Sequence, residues 1–271
     1  MTGTHLIEDV AAILREVADE AILPRFRTLA QGDIEEKAPG DLVTVADRES
    51  ERLLTARLPG LRAGSRVVGE EACAAEPALL KTVGDGTVWV VDPVDGTANF
   101  AAGREPFAVM VALLQAGETV AAWILEPISG RLCVAEKGAG TAIDGRRLVA
   151  DRAVPAPDAL RGSVLTRYMP PDVGGAIDRR LCGLGAVTPA FYCAGAEYPS
   201  ILTGDRHFAL FWRSLPWDHA PGALIVAEAG GRVTRWDGSP YRPAVDGQGL
   251  LVARNPGVWD AAHAALLAPQ P

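Results

Sequence analysis

Apolar residues at Leu6, Ile7, Val10, Ile13, Leu14, Val17, Ala21 and Ile22 recur with helical spacing, and Glu8, Asp9, Arg15, Glu16 and Asp19 fall between them. The pattern predicts an amphipathic helix that ends or kinks near Pro24. Residues 30–41 are polar and punctuated by Gly and Pro, which predicts a loop or an exposed hairpin carrying Lys37 and Asp41. A second helix is predicted from Thr44, with Asp47 three residues on as a weaker capping box, through Leu53, Leu54 and Leu58 to Pro59-Gly60.

Val88-Trp89-Val90-Val91 is apolar without alternation, the mark of a strand buried on both faces. A short strand at 66–68 precedes it and leads into Gly69-Glu70-Glu71. The buried strand delivers Asp92 and Asp95 around an expected turn at Pro93, with Gly96 and Thr97 at an expected helix start. Residues 107–114 and 119–125 predict an antiparallel hairpin, 132–135 a further strand, and Asp144-Gly145 a tight turn. Pro155 and Pro157 mark a seam at 151–160 between an N-terminal half, residues 1–150, and a C-terminal half, residues 151–271. Beyond the seam, strands are predicted at 163–166, 207–212, 232–236 and 250–253. Helices are predicted at 175–182, 193–203 and 257–267, with another following Trp217-Asp218 and stopping at Gly230-Gly231. Helices and strands mix without strict βαβ alternation, so an α+β or α/β layering of sheets and helices is expected.

Length and composition narrow the class. At 271 residues, 48% hydrophobic and 22% charged, the chain suits one large globular domain or two smaller ones. A formal charge of −8 counts against a nucleic-acid groove. It also means that an anionic substrate needs positive charge supplied locally, for which bound metal is the obvious source. Cys73, Cys133, Cys182 and Cys193 form no CxxC pair and read as reduced thiols. No run approaches the ~18 apolar residues of a membrane span, and no basic-then-apolar leader is visible. An acidic cytoplasmic enzyme that works without membrane or nucleic acid is the expectation.

Candidate chemistry centres on acids. A buried strand ending in paired carboxylates beside helix N–H groups suits a divalent metal and a phosphate together. Each acid also has an ordinary reading: Asp92-Pro93 as a turn, Asp95 and Asp218 as helix caps, Asp47 as the partner of Thr44, and Glu70 and Glu71 as solvated loop charges. The conjunction is harder to set aside, because like charges gathered from separate segments are costly to bury without cations.

Four motifs together resemble the inositol monophosphatase family: Asp41-Leu42-Val43-Thr44 through Asp47; Gly69-Glu70-Glu71; Trp89 to Phe100 with its Asp92-Pro93-Val94-Asp95-Gly96-Thr97 centre; and Trp217-Asp218 leading to Glu228-Ala229-Gly230-Gly231. The resemblance implies a layered αβαβα sandwich, a homodimer and inhibition by lithium. It implies Glu70, Asp92 and the Val94 carbonyl as ligands of one metal, and Asp92, Asp95 and Asp218 as ligands of a second, with Asp92 bridging. Glu70 would also face a weaker third site through water. An all-oxygen shell points to Mg²⁺, with Mn²⁺ possible, rather than zinc. The implied chemistry is metal-assisted hydrolysis of a phosphate monoester, with Thr97 paired to Asp47 to orient or deprotonate the attacking water. The Gly96 and Thr97 amides would hold phosphate. Catalytic roles therefore fall to Thr97, Asp47 and Glu70, and substrate contacts to Asp95, Gly96, Thr97, Ala194, Arg213 and Asp218. Lys37 matches a family lysine near the metals and reads equally as a solvated loop charge.

The substrate rim departs from the family. Inositol-binding members carry a glutamate seven residues before the second-motif Asp, where this chain has Phe211, followed by Trp212 and Arg213. The family's Gly-Ser/Thr-Ala-Ala segment is here Tyr192-Cys193-Ala194-Gly195. Loss of a charged acceptor weakens polyol recognition, while Arg213 is available for a second anionic group. Phe211 reads alternatively as a core residue of a differently shaped rim. A Mg²⁺-dependent phosphomonoesterase is expected, with myo-inositol 1-phosphate as nominal substrate. Histidinol phosphate, 3′-phosphoadenosine 5′-phosphate and fructose 1,6-bisphosphate are the alternatives, and a partner-binding protein that keeps the fold is a more distant one.

Overall fold

The computed structural model describes residues 4–181 and 184–268. The N-terminal pattern forms α1 (Thr4–Val17), followed by a π-helical turn at Ala18–Ile22 and a 3₁₀ turn at Leu23–Arg25, so α-helical winding ends ahead of Pro24. The polar stretch is the exposed hairpin, β1 (Ile34–Ala38) antiparallel to β2 (Asp41–Thr44). Thr44 then caps α2 (Val45–Arg57) in a reciprocal box with Asp47.

A seven-stranded sheet runs in sequence order through β3 (Arg66–Gly69), β4 (Thr87–Asp95), β5 (Ala108–Gln115), β6 (Glu118–Leu125), β7 (Leu132–Glu136), β8 (Gly140–Ile143) and β9 (Arg146–Leu148). β3 lies parallel to β4 with α3 (Glu70–Ala75) in their connection; the remaining pairs form an antiparallel meander. α4 (Thr97–Ala101) follows β4. Asp144 and Gly145 join β8 to β9 with φ of 48° and 73°, the mirror-image turn that suits sheet twist.

The chain passes to a second sheet across residues 149–160. There β10 (Arg161–Val164), β11 (Ala186–Val187), β12 (Phe208–Phe211), β13 (Arg232–Arg235) and β14 (Leu250–Ala253) lie in the order β11-β10-β12-β14-β13. The helices of this region are α5 (Pro171–Arg180), α6 (Ala194–Thr203), α7 (Pro216–Glu228) and α8 (Pro256–Leu266).

Burial explains the layers. Leu14 of α1 and Leu54 of α2 pack with Trp89, Val109 and Trp123 on one face of the large sheet. Its other face sets Met110 and Ile124 against Tyr198 and Ile201 of α6 and Ile225 of α7, which also meet Ala209 and Val252 of the smaller sheet. Val258 of α8 and Ile177 of α5 cover the far side of that sheet at Phe208, Leu210 and Leu251. The result is the αβαβα sandwich. Among the described residues no helix is long and apolar enough to cross a membrane.

Several local expectations are corrected. β4 does not turn at Pro93 but continues to Asp95 with a register shift. α5 begins at Pro171 and ends at Arg180, earlier than periodicity predicts, and Cys182 lies outside the described residues. α7 begins at Pro216 with Leu215 as N-cap, so Asp218 sits in its first turn rather than capping it. The two-residue β11 carries no sequence pattern long enough to predict.

Candidate active site

The register shift in β4 positions its two acids. Asp92 faces Met110 and Asp95 faces Ala108, three residues on one strand against two on the other. Strict alternation would send side chains at i and i+3 to opposite faces. The extra residue at Pro93-Val94, where proline has no N–H for the ladder, lets both Asp92 and Asp95 line one cleft.

Glu70 enters from α3. The Glu51 carboxylate of α2 accepts the amides of Glu71 and Ala72 at 2.8 Å each and so holds the start of that short helix. Gly69 permits it, because a Cβ there would lie 2.2 Å from the Glu51 carboxyl carbon. Lys37 donates to Glu70 and Glu71 at 2.8 Å each, so it is no solvated loop charge. Burial alone would lower its pKa, but the two glutamates raise it above that of an ordinary lysine. Asp218 arrives in the first turn of α7 beneath buried Trp217.

Carboxylate oxygens of Glu70, Asp92 and Asp218 lie within 4.8 Å of one another. Asp92 is pushed well above the usual carboxylate range by burial and then by the charges of Glu70, Asp95 and Asp218. Burial, Glu70 and Asp95 raise Asp218 likewise, against Arg213. Negative charge is thus under-compensated here, and an all-oxygen donor set in that condition fits a hard divalent cation. Asp95 lines the same cleft, but its Oδ2 accepts the Gly195 amide at 2.6 Å, leaving its other oxygen free of that bond. Burial raises its pKa to about 6, against the lowering effect of its contacts with Cys193, Gly195 and Ala194.

Beside the acids, Thr97 Oγ1 lies 3.1 Å from Asp47 Oδ1 and 2.9 Å from the Val94 carbonyl, two acceptors for its single proton. Asp47 Oδ2 is held by the Thr44 amide and hydroxyl. Burial raises Asp47 to about 7 despite those hydrogen bonds. Gly96 has a φ of 83°, and a Cβ there would press on the Pro106 carbonyl at 3.0 Å and on Cys193. Glycine is the residue that this turn accommodates.

The outer rim is set by a buried clamp. Glu197, fully buried, accepts the Phe191 amide at 2.6 Å and pairs with Arg206, which donates to the Pro189 carbonyl and lies 3.8 Å from the Phe191 ring centroid. Asn99 donates to the Phe191 carbonyl at 2.9 Å. Held from both sides, the segment turns Tyr192 through a φ of 53°, rare for a residue with a side chain, and presents it and Ala194 to the cleft. On the opposite wall Phe211 is packed rather than open, stacked on Tyr198 at 5.6 Å and edge-on to His219 at 4.8 Å. His219 is kept neutral by burial, its pKa lowered to about 3.

Lys37, Asp47, Glu70, Asp92, Asp95, Gly96, Thr97, Ala194, Arg213 and Asp218 therefore gather in or beside one cleft. The Val94 carbonyl is turned to the Thr97 hydroxyl. Glu228 does not join them; it accepts the Gly138 and Gly140 amides and ties α7 to the β7–β8 turn. Glu51, Glu197, Arg167 and Tyr168 escape sequence reasoning, because none of their contacts follows a recognisable spacing.

The sequence profile of the inositol monophosphatase family matches residues 6–270. The inositol-1-monophosphatase of Mycobacterium leprae is 36% identical over 237 residues, covering 84% of this chain and 79% of that protein. The fructose-1,6-bisphosphatase/inositol-1-monophosphatase of Thermotoga maritima is 30% identical over 206 residues, 73% of each. Among solved structures, inositol monophosphatase-II from Staphylococcus aureus is similar in fold, with a TM-score of 0.83 at 22% identity, covering 99% of this chain and 95% of that one. On sequence and fold alike, the chain belongs to the inositol monophosphatase family of phosphoric monoester hydrolases.

Proposed function

We propose that the protein is a Mg²⁺-dependent phosphomonoesterase acting on a small phosphorylated metabolite, with Mn²⁺ able to replace Mg²⁺. The observation that carries this reading is the convergence of Glu70, Asp92 and Asp218 oxygens within 4.8 Å at the floor of a cleft. Asp95 and the Val94 carbonyl complete the proposed donor set. Bound there, divalent cations would neutralise phosphoryl charge and activate a water.

The chain's own groups do the rest. Asp47 accepts from Thr97, so Thr97 can orient the attacking water and pass a proton toward that carboxylate. The Gly96 and Thr97 amides would hold phosphoryl oxygens, while Asp95, Ala194, Arg213 and Asp218 face the leaving alcohol. Lys37 keeps Glu70 and Glu71 from repelling each other. Myo-inositol 1-phosphate is the nominal substrate. The name of the Thermotoga maritima relative keeps fructose 1,6-bisphosphate beside it, with histidinol phosphate and 3′-phosphoadenosine 5′-phosphate as further alternatives. A cytoplasmic, lithium-sensitive homodimer belongs to the same proposal.

Phosphate release from these four compounds and p-nitrophenyl phosphate, with Mg²⁺ and with EDTA, tests the reading. Turnover of at least one with Mg²⁺, abolished by EDTA and by Thr97→Ala, is expected. No release from any of them overturns it.

A further inference from the structure

Two arginines line the cleft wall beside the acid centre, Arg213 near enough for its charge to act on Asp218. The Arg213 guanidinium lies 4.2 Å from the Tyr168 ring centroid and that of Arg167 5.3 Å from the same ring. Both line the cleft. Arg167 spends one N–H on the Gly40 carbonyl at 2.6 Å. No carboxylate among the described residues lies within ion-pair distance of either guanidinium. Five carboxylates line the cleft: Glu70, Asp92, Asp95 and Asp218 face the proposed metals, and Asp41 stands apart on β2.

In a chain of net charge −8, two arginines left without carboxylates at the mouth of a cleft are conspicuous. Both pack on one aromatic ring, that of the exposed Tyr168, a contact that leaves their N–H forks largely free. His219 bonds the Tyr198 hydroxyl at 2.8 Å and also hydrogen-bonds the Arg213 backbone. Phe211 fills the space behind, packed on Tyr198 and His219. This wall offers an alcohol hydrocarbon and cationic forks.

We infer that the leaving alcohol carries a second anionic group, a phosphate or a carboxylate, held by Arg213 and Arg167 at the cleft mouth. The inference rests on the phosphatase reading and names the substrate class for the same site. Bidentate pairing is the geometry in which guanidinium binds such anions most strongly. The first phosphate goes to the acid floor and the second anion to the arginines, so the alcohol is fixed at both ends.

Matched substrates test it on the full-length protein with Mg²⁺. Fructose 1,6-bisphosphate against fructose 1-phosphate isolates a second phosphate; 3-phosphoglycerate against glycerol 1-phosphate isolates a carboxylate. In at least one pair the dianionic member should show kcat/KM about tenfold or more higher, the scale of one charged hydrogen bond. Arg213→Gln and Arg167→Gln should each shrink that ratio toward one, and Arg213→Lys should keep part of it. A melting temperature close to wild type would confirm that the variants fold. Ratios near one in both pairs overturn the inference, as does a preference that survives both substitutions. It also fails if Arg213→Gln lowers both members of a pair equally, since the arginine then serves the reacting phosphate. Inositol 1-phosphate turning over better than every dianionic probe sinks it while leaving the phosphatase reading intact. No hydrolysis of any monoester sinks the phosphatase reading itself.

Discussion

Thr97 Oγ1 lies 3.1 Å from Asp47 Oδ1, although the two residues are fifty positions apart. The same carboxylate caps α2 through its other oxygen, so the helix start fixes the acceptor that Thr97 meets. Asp47→Asn keeps size and polarity but loses the ability to take a proton. Its kcat should fall by about a hundredfold or more, the usual contribution of a positioned acid–base group, with KM little changed. Burial holds Asp47 near 7 in the metal-free protein, and the ionised form is the one that accepts. Activity should therefore rise with pH along an acid limb, shifted below 7 when cations favour the carboxylate. The variant should lose that limb. A pH–rate profile for both proteins checks the assignment, and a variant with wild-type kcat would reject it.

Asp95 joins the acid floor to the rim, with Oδ2 on the Gly195 amide at 2.6 Å. Asp95→Asn can keep that acceptor while removing a charged ligand. Turnover should be lost and the fold kept near wild type. Mg²⁺ raises the melting temperature of a protein that binds it only when folded, and the variant should lose part of that rise. Thermal melts with and without Mg²⁺ measure it; full activity in Asp95→Asn would mean that the metal assignment is mistaken.

Gly69 and Glu51 support Glu70 from behind. A methyl at position 69 would fall 2.2 Å from the Glu51 carboxyl carbon and push the carboxylate off the Glu71 and Ala72 amides. Gly69→Ala should weaken Mg²⁺ binding by about tenfold, the effect typical of disturbing the groups that orient a metal ligand. Glu51→Ala should do the same through the lost acceptors. Calorimetric titration with Mg²⁺ reads both. Unchanged affinity would make Glu51 a matter of fold stability alone.

The sequence made the acid floor legible because the proposed chemistry tolerates few residue types. Carboxylates must be carboxylates, Gly96 must adopt positive φ, and Thr97 must follow it. The amphipathic helices were legible from periodicity, and β4 from its unbroken apolar run. The rim was not, because its contacts join Arg167 to Gly40, Asp95 to Gly195 and Glu197 to Phe191, pairings that no local pattern announces. The β4 bulge was missed for a related reason. Pro93 signals a break in the hydrogen-bond ladder, but whether the chain turns or inserts a residue depends on the partner strand β5.

The acids of the floor make stability depend on pH and on metal together. Burial raises Asp47 to about 7 and Asp95 to about 6, both above the value near 3.8 that an unfolded aspartate has. Between those limits the folded protein binds more protons than the unfolded chain, so unfolding free energy falls as pH rises. In EDTA the melting temperature should therefore drop from pH 5 to pH 8. The folded state is favoured while these carboxyls are protonated and disfavoured once they must ionise side by side. A divalent cation replaces the protons as the neutralising charge, so Mg²⁺ should raise the melting temperature more at pH 8 than at pH 5. Melts across that range, with Mg²⁺ and with EDTA, decide it. His219 and His207, buried neutral, add a rise of their own below pH 6.5, so the wild-type slope is read against that of Asp95→Asn in EDTA: the variant should fall less steeply, and an equal slope would show that Asp95 ionises without cost where it stands.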